Sequence, residues 1–144
     1  MIRKAVNEDI NEIADIWLMS MRSAHYGVKD TYWTKQYKSI RHKYSQERSD
    51  VVVYEEGGAI LGFGAYIRDA GVVRIFVIPG FQKKGIGSAL LTYFEEHYEG
   101  FLCRCYRTCA PAVSFLQNRG YTRIERRNNV DSGQEEYVFR KGEA

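Results

Sequence analysis

The sequence predicts an α+β fold, a central mixed but mostly antiparallel sheet flanked by helices, and three observations carry that expectation. Apolar residues recur at helical spacing through the first third of the chain. From Val51 the period falls to two, with β-branched runs broken by glycine turns, so strands there follow one another as hairpins. A glycine-rich turn at 80–87 then opens a helix that leads back to a strand, a connection that sets its two flanking strands parallel.

At 144 residues the chain has the length of one domain, and we expect a single domain over 1–144. A net charge of +3 with scattered basic residues argues against a nucleic-acid partner and suits a small anionic ligand. No stretch approaches the roughly 18 uninterrupted apolar residues of a membrane span, so no membrane partner is expected. A charged helix follows Met1-Ile2-Arg3-Lys4 where an export signal would place an apolar core, and the expected location is the cytoplasm. Cys103, Cys105 and Cys109 are odd in number and lack matching histidines, which argues against a disulfide framework or a metal site. Alternation along a strand puts Cys103 and Cys105 on one packed face.

Taken in order, Ile2 to Val6 reads as a short strand. Asn7 follows as an N-cap, with Glu8 and Asp9 in a helix's first turn. Ile10, Ile13, Ala14, Trp17, Leu18 and Met21 form the buried face of that helix, and Trp33, Tyr37, Ile40 and Tyr44 mark a second, unusually aromatic one. Val51–Tyr54 and Ile60–Ile67 form a hairpin about Glu55-Glu56-Gly57-Gly58, with Leu61, Phe63, Ala65 and Ile67 expected on one face. A third strand, Val72–Ile78, stops at Pro79.

Ile86, Ala89, Leu90, Tyr93, Phe94 and His97 then give a helix closed by Gly100, and Phe101–Tyr106 a strand. Ala110–Arg119 is a short helix with Pro111 in its first turn and Gly120 at its stop. Tyr121–Arg126 and Glu136–Arg140 are strands joined by the loop around Asp131. The order is β, α, α, β, β, β, α, β, α, β, β, and the parallel crossover leaves a groove at the strand ends.

The stretch from Val77 to Leu90 brings together close-approach glycines, free N–H groups at a helix start, and Lys83 and Lys84. Those features make an anion cradle. It is neither a Walker sequence, since no Gly-Lys-Ser/Thr ends it, nor a dinucleotide fingerprint, since the third glycine and the acidic ribose ligand are missing.

With Val77-x-Pro79 before it and Ala89-Leu90-Leu91 after it, Gln82-x-x-Gly85-x-Gly87 resembles the acetyl-CoA motif of the GCN5-related N-acetyltransferases. Pro111 through Tyr121 resembles the same family's second motif, a helix ending in Gly-Phe or Gly-Tyr. The resemblance covers nearly the whole order of elements. It is closest to small single-domain bacterial members in which alanine, histidine and an aromatic follow the first helix, as Ala24-His25-Tyr26 do here.

The resemblance implies a splayed parallel strand pair forming a CoA groove. It places the pyrophosphate on backbone groups of Gln82, Lys83, Lys84, Gly85, Ile86, Gly87 and Ser88, with Lys83 and Lys84 either adding charge near the 3′-phosphate or remaining solvated. Ile75, Phe76 and Val77 would pair with the pantetheine arm like an added strand. A backbone N–H of that strand would meet the thioester oxygen and stabilise the tetrahedral oxyanion. Cys109, Ala112 and Phe115 would line the CoA side of the second-motif helix.

Two positions depart from the family pattern. Cys109 stands where asparagine is common, and Leu116 stands where a tyrosine usually protonates the departing thiolate. General acid catalysis contributes about 10² to 10⁴-fold, whereas a thiol of pKa about 8.5 is already a tolerable leaving group. Tyr106, Cys109 or an ordered water are the replacements to weigh, with packing as the alternative role for both side chains. His25, Tyr26, Trp33 and Tyr66 are the residues expected to line the acceptor channel, against surface or core roles for each. Glu135, Glu136 and Asp131 read as surface charges.

The implied activity is direct transfer of acetyl from acetyl-CoA, a co-substrate, to a primary amine, a protein lysine or a small amine, without a covalent enzyme intermediate or a metal. The competing expectation, motivated by Leu116, is a non-catalytic acyl-CoA-binding or regulatory module. A monomer or a homodimer is expected.

Overall fold

The structure is a computed structural model that describes residues 1–24, 29–81, 84–129 and 133–142. Strands β1 (Ile2–Lys4), β2 (Ser49–Glu56), β3 (Ala59–Ile67), β4 (Val72–Val77), β5 (Phe101–Tyr106), β6 (Thr122–Asn128) and β7 (Glu135–Lys141) form one sheet in the order β1-β2-β3-β4-β5-β7-β6. Helices α1 (Ile10–Ala24), α2 (Asp30–Lys35), α3 (Tyr37–Lys43), α4 (Ile86–His97) and α5 (Ala110–Asn118) cover it. Every strand contact is antiparallel except that of β4 with β5. The expected α+β architecture is therefore present.

The chain starts differently from the expectation. Asn7–Asp9 is a 3-10 turn whose cap position is Val6, and no side chain of Asn7 caps it. The Asp9 carboxylate does that work, accepting the Val6 N–H at 2.9 Å while taking both Arg3 guanidinium donors at 2.8 and 3.1 Å. The Arg3 hydrogen bonds hold the buried Asp9 carboxyl below the usual carboxylate range. The aromatic helix expected after α1 is two short helices broken at Gln36. Its aromatic face lies deep in the core: Trp33 and Tyr44 are both 2% exposed.

The β2–β3 hairpin turns on Gly57 and Gly58, both at positive φ, the backbone that a two-residue hairpin turn needs. One expectation fails there. Tyr54 pairs with Gly62 but Glu55 pairs with Ile60, so Leu61 is an extra residue in a bulge. The bulge reverses the alternation: Ile60 joins Phe63, Ala65 and Ile67 against α1–α3, and Leu61 packs on the opposite face with α4.

Two cores result. Ile13, Trp17, Trp33, Ile40 and Tyr44 pack on Val53, Phe63, Phe76 and Tyr106. On the other face Leu90, Leu91 and Phe94 of α4 and Leu116 of α5 pack on Val73, Cys103 and Phe139. Gly64 sets how closely α4 lies on the sheet, since a Cβ there would stand 2.6 Å from the Phe94 ring and 2.9 Å from the Ile75 methyl. Gly64→Ala is expected to lower stability by about 1–3 kcal/mol through overpacking, read as a fall in the urea midpoint without a change in slope.

Candidate functional site

β4 pairs with β3 along its whole length, from Val72 with Ile67 to Val77 with Gly62. The Arg68 N–H reaches Arg48 and the Ile78 N–H reaches Leu61, which fixes the phase of the ladder. Val72, Arg74 and Phe76 therefore bond to β3, while Val73, Ile75 and Val77 turn their N–H and C=O groups the other way, toward β5. β5 meets them only at Val72 with Leu102, where the Leu102 N–H donates to the Gly71 carbonyl at 2.9 Å. Beyond that point the parallel strands part. The backbone edge of Ile75 and Val77 faces the resulting cleft, whereas Phe76, expected beside them, turns its main-chain groups to β3.

The cradle stands at the mouth of this cleft. Gly85 caps α4 in the left-handed region, at φ 83°, which a side chain disfavours. The first intrahelical bond runs from the Ala89 N–H to the Gly85 carbonyl, so the N–H groups of Ile86, Gly87 and Ser88 have no acceptor within the helix. A Cβ at Gly85 would meet no atom within 4 Å, and one at Gly87 would only touch the Val77 side chain at 3.9 Å. Among the described residues nothing crowds these two positions, and the donor set fits a bound diphosphate. Lys84 is exposed and lies over the Phe81 ring at 5.3 Å. Gln82 and Lys83 lie outside the described residues, as do His25, Tyr26 and Asp131.

The two candidate acids occupy different places. Tyr106 ends β5, is 8% exposed, and packs with Trp33 at 6.3 Å on the α1–α3 face. Cys109 is half-buried at the N-cap of α5. Leu116 is buried under the opposite face of the sheet, in the α4 core. Ala112 and Phe115 are half-buried on α5, with the Arg119 guanidinium 5.6 Å from the Phe115 ring. Cys103 and Cys105 share the α4–α5 face, and burial pushes each thiol up to about 12, so both stay protonated and serve as packing groups.

Of the aromatic residues, Trp33 backs Tyr106 from inside the core, edge-on to Trp17 at 5.9 Å. Tyr66 stacks on Tyr98 at 4.1 Å and pairs with Val73. That register leaves it four residues, about 13 Å, short of Val77 and on the α4 face.

The structure also brings in residues that sequence reasoning passed over. The buried Ser20 hydroxyl donates to the Val77 carbonyl at 3.2 Å, tying α1 to the end of β4. Its signal was available: Ser20 follows Trp17 by three on the buried helix face. Glu136 is not a surface charge but 6% exposed, directly opposite Tyr106 and held by Arg127 Nε at 2.8 Å. Arg74 and Arg104 fall on the same sheet face as Phe76 and Tyr106, and alternation within Val72–Val77 and Phe101–Tyr106 could have placed them there. Lys43, at the end of α3, joins them: burial first, then Arg74 and Arg104, push its ammonium down to about 8 against the pull of Glu136.

Among the described residues no group of three or more His, Cys, Asp or Glu could hold a metal, and no helix is long and apolar enough to cross a membrane.

A family model described as an acetyltransferase (GNAT) domain matches residues 47–123. The peptidyl-lysine N-acetyltransferase YiaC of Escherichia coli K12 is 30% identical over 121 residues, 84% of this chain and 82% of that protein. Solved structures share the fold at lower identity. A GCN5-related N-acetyltransferase from Rhodopseudomonas palustris superposes with a TM-score of 0.82 at 15% identity, covering 99% of this chain and 94% of that one. The PaiA N-acetyltransferase of Thermoplasma acidophilum, in complex with coenzyme A, gives 0.77 at 19% identity over 99% and 98% of the two chains.

The Lys43 shift has a sign that can be measured. Its lowered folded-state pKa means that below about 8 the folded protein carries a disfavoured charge. That penalty fades as pH rises toward 10.5, the ordinary lysine value. Lys43→Met should therefore raise Tm near neutral pH, with the gain vanishing by about pH 10.5, in calorimetry across that range.

Proposed function

Since the chain belongs to the GCN5-related N-acetyltransferase family, we propose that it binds acetyl-CoA and transfers the acetyl group directly to a primary amine. The observation that carries this reading is a parallel pair joined only at Val72 and Leu102, opening beside a glycine-capped helix start. The N–H groups of Ile86, Gly87 and Ser88, with the dipole of α4, hold the pyrophosphate. Gln82, Lys83, Lys84 and Gly85 complete the cradle. Ile75 and Val77 align the pantetheine arm by main-chain pairing, and the face of α5 bearing Cys109, Ala112 and Phe115 closes the CoA side.

The transfer follows from that alignment. The neutral amine attacks the thioester carbonyl, a C–N bond forms, and a β4 N–H pointed into the cleft stabilises the oxyanion. The nitrogen, positively charged after attack, gives up one proton to water, the C–S bond breaks, and the thiolate takes a proton. Tyr106, at the cleft end of β5, or Cys109, at the start of α5, supplies it in our reading, with water as the remaining donor. The likeness to YiaC supports a peptide lysine as the acceptor class. His25, Tyr26 and Trp33 are the proposed acceptor-side residues.

The test follows free thiol while the protein is incubated with acetyl-CoA and a panel of lysine peptides, polyamines and amino acids. Turnover above background with at least one acceptor is expected; none with any acceptor overturns the reading. Gly85→Glu is expected to abolish CoA binding in calorimetry, because its carboxylate would enter the pyrophosphate position in a backbone that disfavours any side chain.

A second reading, an acyl-CoA-binding module without catalysis, is favoured by one observation: no phenol stands at Leu116. Leu116→Tyr separates the two. The residue is 6% exposed, so a phenol there overpacks the α4 core, and Tm should fall by several degrees without a gain in kcat. A clear rise in kcat would show instead that the missing acid limits the native protein.

A further inference from the structure

The sheet face opposite the cradle carries a concentration of positive charge that the fold does not neutralise. Counting on from the Val72–Leu102 pair, Arg74 of β4 stands level with Arg104 of β5, where the strands begin to part, and Phe76 stands level with Tyr106 one step further. Like charges at one level across a strand pair oppose pairing. Lys43 adds a third cation, its Nζ 5.9 Å from the centroid of the Tyr44 ring. The Tyr44 ring packs against Phe76 at 6.1 Å, and the Arg74 guanidinium lies 5.3 Å from the centroid of Phe76. Lys43, Tyr44, Phe76 and Arg74 are thus linked through ring contacts, with Arg104 level with Arg74 across the strand gap.

Within that patch the polar groups lack counterparts. Among the described residues, the side chains of Lys43, Arg74 and Arg104 make no hydrogen bond and no ion pair within 4.0 Å. All three are partly buried. The Tyr44 hydroxyl is fully buried with no hydrogen-bond partner, and it lies in the field of Arg74 and Arg104. A buried unsatisfied donor costs about 1–3 kcal/mol, so native structures seldom leave one without a reason. The nearby carboxylates do not answer the need: Glu136 is already held by Arg127, and Glu125 is exposed on the edge strand β6. Burial first, then the charges of Arg127 and Arg74, lower the Arg104 pKa, and burial, then Arg74 and Arg104, lower that of Lys43.

We propose that Arg74, Arg104, Lys43 and the Tyr44 hydroxyl form a carboxylate-recognition site on the acceptor side of the cleft, so that the protein selects amine acceptors that also carry a carboxylate. The inference rests on the acetyl-transfer reading for its use, though the anion site is a property of these residues alone. The carboxylate can come from an acidic residue flanking a peptide lysine or from a free amino acid. Two guanidiniums offer paired donors to planar carboxylate oxygens, the Tyr44 hydroxyl a third, and the Phe76–Tyr106 level holds the amine toward Val77.

The experiment compares matched acceptors by thiol release: one lysine peptide with flanking Glu against the same peptide with Gln, and a free amino acid against its amide. We expect kcat/KM to favour the acid at least about tenfold in one pair, with the preference shrinking as salt is raised. In Arg104→Gln the ratio should fall toward one while CoA affinity, measured by calorimetry, is retained and reports the fold. Equal kcat/KM for acid and amide in both pairs with the native protein overturns the proposal. If no acceptor is turned over, the transfer reading has failed and the site is judged by binding. Titration of the CoA-loaded protein with glutarate and with glutaramide should then show heat for the acid alone, weakened in Arg104→Gln, and absence of glutarate binding overturns it.

Discussion

The site depends on one incomplete pairing. β4 is laddered along its length to β3, and β5 along its length to β7, but the two strands meet only at Val72 and Leu102. Two well-bonded antiparallel halves are thus joined at one end and free to diverge at the other. Divergence exposes main-chain groups that a closed sheet would consume, which is costly unless something replaces the missing strand. An extended ligand does so, and the proposed pantetheine arm has the required form. The charge of Arg74 level with Arg104 works in the same direction, because it penalises closing the gap.

The split gives the protein two functional faces that the helices divide between them. On one, α4 starts beside the cleft with N–H groups that have no acceptor within the helix, held at close range to the sheet by Gly64 under Phe94. On the other, α1–α3 pack an aromatic core about Trp33, Tyr44 and Phe76, and Ser20 fixes α1 to the carbonyl of Val77. In the proposed reading the donor side is neutral main chain with a helix dipole. The proposed acceptor side carries Lys43, Arg74 and Arg104, with Glu136 as the buried carboxylate among them.

The position of Leu116 fits this division. A side chain there belongs to the α4 core, on the face opposite Tyr106. A leucine at such a place offers no proton donor and contributes about 1.5–3 kcal/mol through its own burial. The proposed donors Tyr106 and Cys109 approach from the end of β5 and the start of α5. Any recovered acid function therefore comes from a different direction than in the family pattern.

Much of this was legible from residue order alone. Periodicity set the elements, the helix between β4 and β5 set the one parallel pair, and the spacing of Gln82, Gly85 and Gly87 with the helix ending at Gly120 and Tyr121 identified the family. Those are local signals, written in neighbours along the chain. What the sequence could not specify is what distant residues do to one another. The bulge at Leu61 reversed a face because a partner strand opposes two residues with one. Glu136 became buried because β7 lies between β5 and β6, and Tyr66 was carried from the cleft by its register with Val73. Arg74, Arg104 and Lys43 are far apart in the chain and ordinary in composition. Only packing three elements around one cleft makes them a site, because electrostatic environment depends on distance and burial rather than on residue type.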